Sequence, residues 1–414
     1  MTQDATDSSA YAADVARLLW PAPWGEPRVT RGAARGRGGD GVAHRDAYLF
    51  PNARRPRLLV PADVPASSVM LQRLGNGRGA LVAPLRDLAE RSVRSRAFGL
   101  ARWPVLRVPA AGPGADSVER YLGERLGTEV RVGVLLGTRR VNQKPVLQVF
   151  GLDGALVAYA KVGHNDLTAQ LVGREAASLT AVADLGPRTF RLPRLLHHGA
   201  WAGLAVMAIS PLPTDPRRPV PAAVREAAMR EVAELGGTVA APLAESGFWD
   251  RIRRSTRTLP EGPGRARLRA VVQEVHGGHG ATDVRLGGWH GDWGHWNMGM
   301  KGDELQLWDW ERYDPQVPVG FDALHFVAQA VRPGSKEDRR QEEGFLGSVP
   351  ASLAAMGVPA DRHDLVLRLY LVEMASRYLD ALRHGATPAL RRRTDWVLSL
   401  LERLADTPHP QGAS

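Results

Sequence analysis

Three short β-rich runs set the strongest limit on what this chain can fold into. They are "EVRVGVLLG" (Glu129–Gly137), "KPVLQVFG" (Lys144–Gly151) and "ALVAYAKVG" (Ala155–Gly163), parted by turn chemistry at Gly137-Thr138 and at "LDG", Leu152–Gly154. A helical pattern over roughly Asp166–Val182 follows, and "LPRLLHHGAWAGLAVMAIS" then reads as two further strands. Five strands with one helix inserted after the third predict a compact α+β lobe. Beyond Pro211 the pattern turns to helices with few strands, clearest over Ala222–Gly236, Arg265–Glu274, Phe321–Val331, Asp361–Leu382 and Pro388–Leu404.

The expected organisation is therefore an accessory region over 1–112, a β-rich lobe over 113–210 and a helical lobe over 211–414. The accessory region holds an expected hairpin (Ala47–Ala62), helical segments between Ser67 and Phe98, and a strand ending at Pro109. Its glycine-rich loop spells G-x-G-x-x-G at Gly36, Gly38 and Gly41. An arginine-rich coil precedes that pattern and a strand-like run follows it. A dinucleotide fingerprint needs the reverse, a strand before and a helix after.

Composition narrows the chemistry. None of the 414 residues is cysteine, which removes disulfides, thiolate metal sites and thiol nucleophiles. The polar start "MTQDATDSSA" is neither a signal nor a transit peptide, and the longest apolar run is too short to span a bilayer. A cytoplasmic protein without a membrane partner is expected. With 54 Lys plus Arg against 44 Asp plus Glu, the formal charge is +10, which favours anionic ligands in a general way. The basic runs Arg251–Arg257 and Arg391–Arg393 read as helix faces, and no aromatic-interleaved signature accompanies them, so no nucleic-acid partner is expected.

Two places carry chemistry. Leu167, Leu171, Glu175 and Leu179 share one face of the helix after the third strand. A carboxylate in an apolar stripe is costly unless a cation meets it, and Lys161 lies just upstream. The alternative is that Glu175 lies at the stripe's edge and Lys161 snorkels at the surface. The second place is "HGDWGHWN", His290–Asn297, followed by "LQLWDWERYD", Leu305–Asp314, which reads as a strand ending in Asp309 and Glu311. His290, Asp292 and His295 could form a metal–histidine site, although Gly291 and Gly294 argue against the helical spacing such sites favour. Asp292, Asn297 and Asp309 instead form an oxygen-rich set suited to Mg²⁺, with one carboxylate left to orient a hydroxyl. Trp293 and Trp296 are either loop packing or a stacking surface. Glu311 is either a surface group or one standing behind the metal ligands.

"HGDWGHWN" resembles the H-G-D-x-x-x-x-N loop of the aminoglycoside phosphotransferase/choline kinase-like family, and "LWDWE" resembles that family's following strand. "YAKVG" and "REAASL" look like its strand lysine and helix glutamate, and "VGFDALHF" like its helix start with an aspartate. The match runs from about Val118 to Leu404. It implies a bilobal protein-kinase-like fold, with a small β-rich N-lobe and a larger helical C-lobe, to which this chain adds an N-terminal region. Carried over, Lys161 would hold nucleotide phosphates and pair with Glu175, and Asp292 would be the catalytic base. Asn297 and Asp309 would hold Mg²⁺. Met207 and Ile209 would lie in the stretch that meets the adenine of ATP, and His290 and Asp322 would brace the loop.

The implied function is ATP- and Mg²⁺-dependent phosphorylation of a hydroxyl on a small molecule: a sugar, nucleoside, antibiotic or natural-product intermediate. Two alternatives stand beside it, a Ser/Thr kinase of a peptide and a nucleotide-binding pseudokinase scaffold. Two departures are visible. The turn after "VGVLLG" lacks a glycine-rich nucleotide motif; Thr138, Arg139 and Arg140 either cover phosphates or are solvated there. The helical part also carries Arg225, Arg251, Arg253, Arg254, Arg368 and Arg377, which suits a polycationic acceptor poorly and points to a neutral or anionic one.

Overall fold

The computed structural model describes residues 3–31, 44–73, 90–93, 103–110, 112, 114–136 and 144–405. The chain divides into two compact units, Met1–Ala176 with Pro193–Pro211, and Ala177–Leu192 with Leu212–Ser414.

The first unit is built on one nine-stranded sheet. Its strands are β1 (Arg28–Arg31), β2 (His44–Phe50), β3 (Leu58–Pro61), β4 (Pro104–Pro109), β5 (Val130–Leu135), β6 (Val146–Gly151) and β7 (Leu156–Gly163). After the two-residue β8 (Phe190–Arg191), which belongs to the second unit, β9 (Leu195–Trp201) and β10 (Leu204–Ile209) complete it. The spatial order is β1-β4-β2-β3-β5-β6-β7-β10-β9. The five strands read from the sequence are β5, β6, β7, β9 and β10, and the expected hairpin is β2–β3, paired Ala47↔Pro61 through Phe50↔Leu58.

The sheet also runs through the boundary expected at residue 112: β3 pairs antiparallel with β5, Leu58↔Leu135 and Leu59↔Val134. Consecutive strand residues point to opposite faces. Accordingly Leu49 and Leu59 join one buried cluster while Phe50 and Leu58 join another. Helices α1 (Gln3–Leu19) and α2 (Val118–Leu126) supply Val15, Leu19, Val118 and Leu122 to the first of these. The 3-10 segment Pro65–Arg73 supplies Met70 and Leu71 to the other. The Gly36–Gly41 pattern and Thr138–Arg140 lie outside the described residues.

Helix α3 (Asp166–Asp184) belongs to the first unit through Ala176 and to the second from Ala177. The second unit then holds α4 (Ala222–Glu234), α5 (Gly247–Thr258), α6 (Pro263–His279), α7 (Phe321–Ala328), α8 (Asp338–Ala355), α9 (His363–His384) and α10 (Pro388–Ala405). Two small sheets accompany them. One joins β11 (Val239–Pro242), β12 (Asp283–Trp289) and β15 (Asp314–Pro318), and the other joins β13 (Met298–Lys301), β14 (Glu304–Leu307) and β8. Its core runs from Trp249, Leu268 and Trp289 to Phe321, Leu369 and Leu398.

One helix left no clear sequence signal, and one sequence expectation needs correction. Helix α8 was not legible, because "DRRQEEGFLGSVPASLAA" carries Gly344, Gly347 and Pro350 and only Phe345, Val349 and Leu353 are fully buried. The strand expected over Leu305–Asp314 stops at Leu307. Asp309 lies beyond its end in left-handed backbone, φ 73°. Among the described residues, no helix is long and apolar enough to cross a membrane.

Candidate functional site

In the first unit, Lys161 on β7 meets Glu175 on α3. Lys161 Nζ donates to both carboxylate oxygens, at 2.7 and 2.6 Å. Glu175 is wholly buried and Lys161 nearly so, which decides between the paired and the snorkelling readings. Local structure fixes the approach. Asn165 Oδ1 accepts from Thr168 N at 2.9 Å and Thr168 Oγ1 accepts from His164 N and Asn165 N, capping the helix directly behind the strand. Strand and helix come so close there that a Cβ on Gly163 would lie 2.6 Å from Ala169 Cα.

Met207 faces Lys161 across the β7–β10 pairing, and its side chain is fully buried. Ile209 is also buried, and β10 is flanked by β7 on one side and β9 on the other, so the ladder engages the backbone of both residues. Ser210 N–H donates to Arg194 O at 2.9 Å.

In the second unit, the loop His290–Asn297 joins β12 to β13. The N–H groups of His290 and Gly291 both donate to the Asp322 carboxylate at the start of α7, at 2.7 and 3.1 Å. Arg377 Nη1 donates to Gly291 O at 2.9 Å, with its guanidinium carbon 4.2 Å from the centroid of the Trp289 ring. Gly291 itself has φ 82°, and a Cβ there would lie 2.3 Å from Arg312 O, so no other residue fits this turn.

The His290 ring sits against Trp310 and Trp293, with centroids 4.7 and 5.7 Å away. Its Nδ1 accepts from Asp292 N–H at 3.3 Å, and its Nε2–H donates to Trp308 O at 3.0 Å. Both nitrogens are thus spent inside the loop, in the neutral ring. Burial lowers its pKa to about 4. His295 packs its ring against Phe326, tilted by 59°. The metal–histidine alternative fails on these contacts.

Asn297 Nδ2 donates to Asp292 O at 2.9 Å and to Asp292 Oδ2 at 3.0 Å. Asn297 is buried and Asp292 partly exposed. The amide nitrogen is therefore committed to the loop, and Asn297 Oδ1 remains as an acceptor. Asn297 O accepts from Trp308 N–H at 3.0 Å, which ties the loop to the segment carrying Asp309. Asp309's left-handed conformation is one that side chains other than glycine's seldom adopt, and such strain gathers where function requires a particular side-chain direction. Within this unit the loop thus carries Asp292 and Asn297, and the Trp308 hydrogen bond ties to it the segment that carries Asp309.

Sequence reasoning missed the role of His325. It lies one turn after Asp322 on α7, wholly inside the protein, with Nε2 3.5 Å from Asp292 Oδ1. Arg393 donates to Gln329 Oε1 at 3.4 Å, and the Gln329 amide nitrogen lies 2.7 Å from His325 Nε2. In that direction of donation Nε2 accepts, leaving Nδ1–H for the Tyr370 oxygen at 3.1 Å. Burial lowers the His325 pKa, so the ring beside Asp292 is neutral. The one sequence signal was a histidine three residues after Asp322 in the short, largely apolar "FDALHF".

The scattered arginines also differ from the sequence expectation. Glu373, though burial pushes its pKa up, is held below the usual range by Arg377 and Arg251, which contact it at 2.7 and 2.8 Å. Arg368 bonds Asp364 and Glu274. These cations hold helices together.

No family model matches the chain, and no curated protein matches it. Among solved structures it is similar to a thermostable mutant of aminoglycoside phosphotransferase APH(4)-Ia, with 13% identity over 69% of this chain and 98% of that one and a TM-score of 0.45. It is similar to a choline/ethanolamine kinase family protein from Mesorhizobium loti, with 16% identity over 64% and 86% and a TM-score of 0.40. It is also similar to APH(3'')-Id from Streptomyces rimosus in complex with ADP and streptomycin, with 20% identity over 57% and 90% and a TM-score of 0.37. These TM-scores are all below 0.5, and the functional reading rests on the side chains described above.

Proposed function

We propose that this protein is an ATP- and Mg²⁺-dependent phosphotransferase acting on a hydroxyl group of a small molecule. The observation that carries the reading is the Asn297–Asp292 contact. One amide nitrogen fixes the carboxylate through Oδ2 and the loop through its carbonyl, while the amide oxygen stays available for a cation. Asn297 Oδ1 and the Asp309 carboxylate would be the hard-oxygen ligands that hold Mg²⁺. Bound there, Mg²⁺ would neutralise phosphate charge and hold the phosphates in place.

The residues of the chain supply the rest. Lys161, its direction set by Glu175, offers an ammonium to the nucleotide phosphates. Asp292 orients the acceptor hydroxyl and takes its proton as the new O–P bond forms and the bond to the departing ADP oxygen breaks. His325, neutral beside Asp292, adds no positive charge that would weaken it as a base. The acceptor is a neutral or anionic compound such as a sugar, nucleoside or natural-product intermediate, and the setting is the cytoplasm, where ATP is supplied.

The test is Mg²⁺-dependent turnover of ATP followed by phosphorus NMR, over sugars, nucleosides, aminoglycosides and Ser/Thr peptides, comparing the natural chain with Asp292→Asn. A phosphate-ester signal that the variant loses, by a factor on the order of 10² or more, supports the reading. Absence of MgATP binding to the natural chain would sink it.

A further inference from the structure

The outer face of the Asp292 loop has a composition that bears on the acceptor. Trp293 is fully buried, yet Trp296, three residues on, is 55% exposed. Its ring lies over Gly294, where a Cβ would meet it at 2.6 Å, so a glycine lets an indole lie flat against the loop. The neighbouring His295 ring packs on Phe326 with centroids 4.6 Å apart. Phe326 in turn carries the guanidinium of Arg225, 4.1 Å from its centroid. Phe326 directly follows His325, the residue that touches Asp292, and His295 is three residues from Asp292 along the loop. The loop that carries Asp292 and the helix whose His325 meets Asp292 therefore both contribute a ring to this array.

Arg225 differs from the other arginines of this unit. Arg251 and Arg368 each meet carboxylates on other helices or strands, and Arg377 shares the buried Glu373 carboxylate with Arg251. The ion pair of Arg225 is with its chain neighbour Glu226 at 3.3 Å, and its side chain is only 17% exposed. Burial lowers its pKa without depriving it of charge. A guanidinium stacked on an aromatic ring keeps its fork of donors in the ring plane's direction, suited to two parallel bonds to a carboxylate or phosphate. The same charge repels a polycation.

We propose that the acceptor carries an acid group, which Arg225 binds, and that its hydroxyl-bearing body lies against Trp296 so that the hydroxyl reaches Asp292. This inference rests on the phosphotransferase reading of Asp292 and narrows the acceptor from neutral or anionic compounds to anionic ones.

The full chain is titrated by calorimetry, with and without a non-hydrolysable MgATP analogue, using gluconate and glucose 6-phosphate as anionic probes. Glucose serves as the neutral probe and kanamycin as the cationic one. At least one anionic probe is expected to bind more tightly than glucose and kanamycin. Arg225→Met should weaken it tenfold or more and Arg225→Lys by less, with affinity for the nucleotide analogue and the melting temperature nearly unchanged. Equal binding by Arg225→Met, tighter binding of glucose or kanamycin, or no binding of either anionic probe at 10 mM or so would each overturn the assignment. A chain that binds an anionic probe through Arg225 but no nucleotide analogue would overturn the phosphotransferase reading instead.

Discussion

Asn297 donates both hydrogens of its side-chain amide to Asp292, one to the backbone carbonyl and one to the carboxylate. A single side chain therefore shapes the loop, restrains a carboxylate and leaves one oxygen unspent. Three jobs on one residue make it a sharp place to probe.

Asn297→Ala should raise the Mg²⁺ concentration needed for half-maximal turnover by about tenfold or more and lower the turnover itself by on the order of 10². Steady-state kinetics over a magnesium series reads both. Unchanged magnesium dependence would mean that the amide oxygen holds no ion.

Lys161→Met leaves the wholly buried Glu175 carboxylate without the Lys161 ammonium. Removing one partner of a buried pair costs about 3–5 kcal/mol, whereas replacing both by apolar groups is close to neutral. Denaturant titration should therefore show Lys161→Met strongly destabilised and Lys161→Met/Glu175→Leu largely restored. Nucleotide binding should be restored in neither.

The pH dependence of stability should show two opposed contributions beneath the loop. The pKa of His290 is lowered by burial to about 4 from an ordinary 6.5, so its contribution is present above pH 6.5 and is lost as pH falls toward 4. Burial raises Asp322 to about 7 from 3.8, against the pull of the two N–H groups it accepts; its contribution is full below pH 4 and is lost as pH rises through 7. Shifts of that size amount to roughly 3 to 4.5 kcal/mol each and run in opposite directions over nearly the same window. Unfolding measured from pH 4 to 7 should be nearly flat for these groups in the natural chain. In Asp322→Asn it should climb with pH, and a flat profile there would refute the assignment.

Gly291→Ala should cost a few kcal/mol, from its positive φ and from the collision with Arg312 O. Because the same turn sets the direction of Asp292, turnover should fall further than the loss of folded protein explains, which activity per folded molecule would reveal.

The polar residues of the loop and the β7–α3 pair were legible because each is an expensive residue in a place that demands a reason: a glutamate in a leucine stripe, glycines interrupting an aromatic run. His325 was hidden because its partners Tyr370 and Asp292 come from two other segments that only folding brings to it. Asp309 was misplaced by two residues because β propensity in "LQLWDW" does not show where the backbone turns left-handed. The helix α8 escaped because its apolar positions are too sparse and too interrupted by Gly and Pro to make a periodic signal. The region 1–112 was set apart by its local strand and helix pattern, which cannot show that β3 pairs with β5.

That β3–β5 pairing has a practical corollary. Without residues 1–112, β5 would become the border of its sheet, with the backbone donors and acceptors that now meet Leu58 and Leu59 turned outward. The buried cluster that holds Val130, Val132 and Val134 would also lose Val15, Leu19, Leu49 and Leu59. An apolar border strand of that kind recruits other chains. A protein trimmed of residues 1–112 should therefore come out of light scattering as aggregates or strand-exchanged dimers. The extension acts as a selvedge, the finished margin that keeps the weave from running.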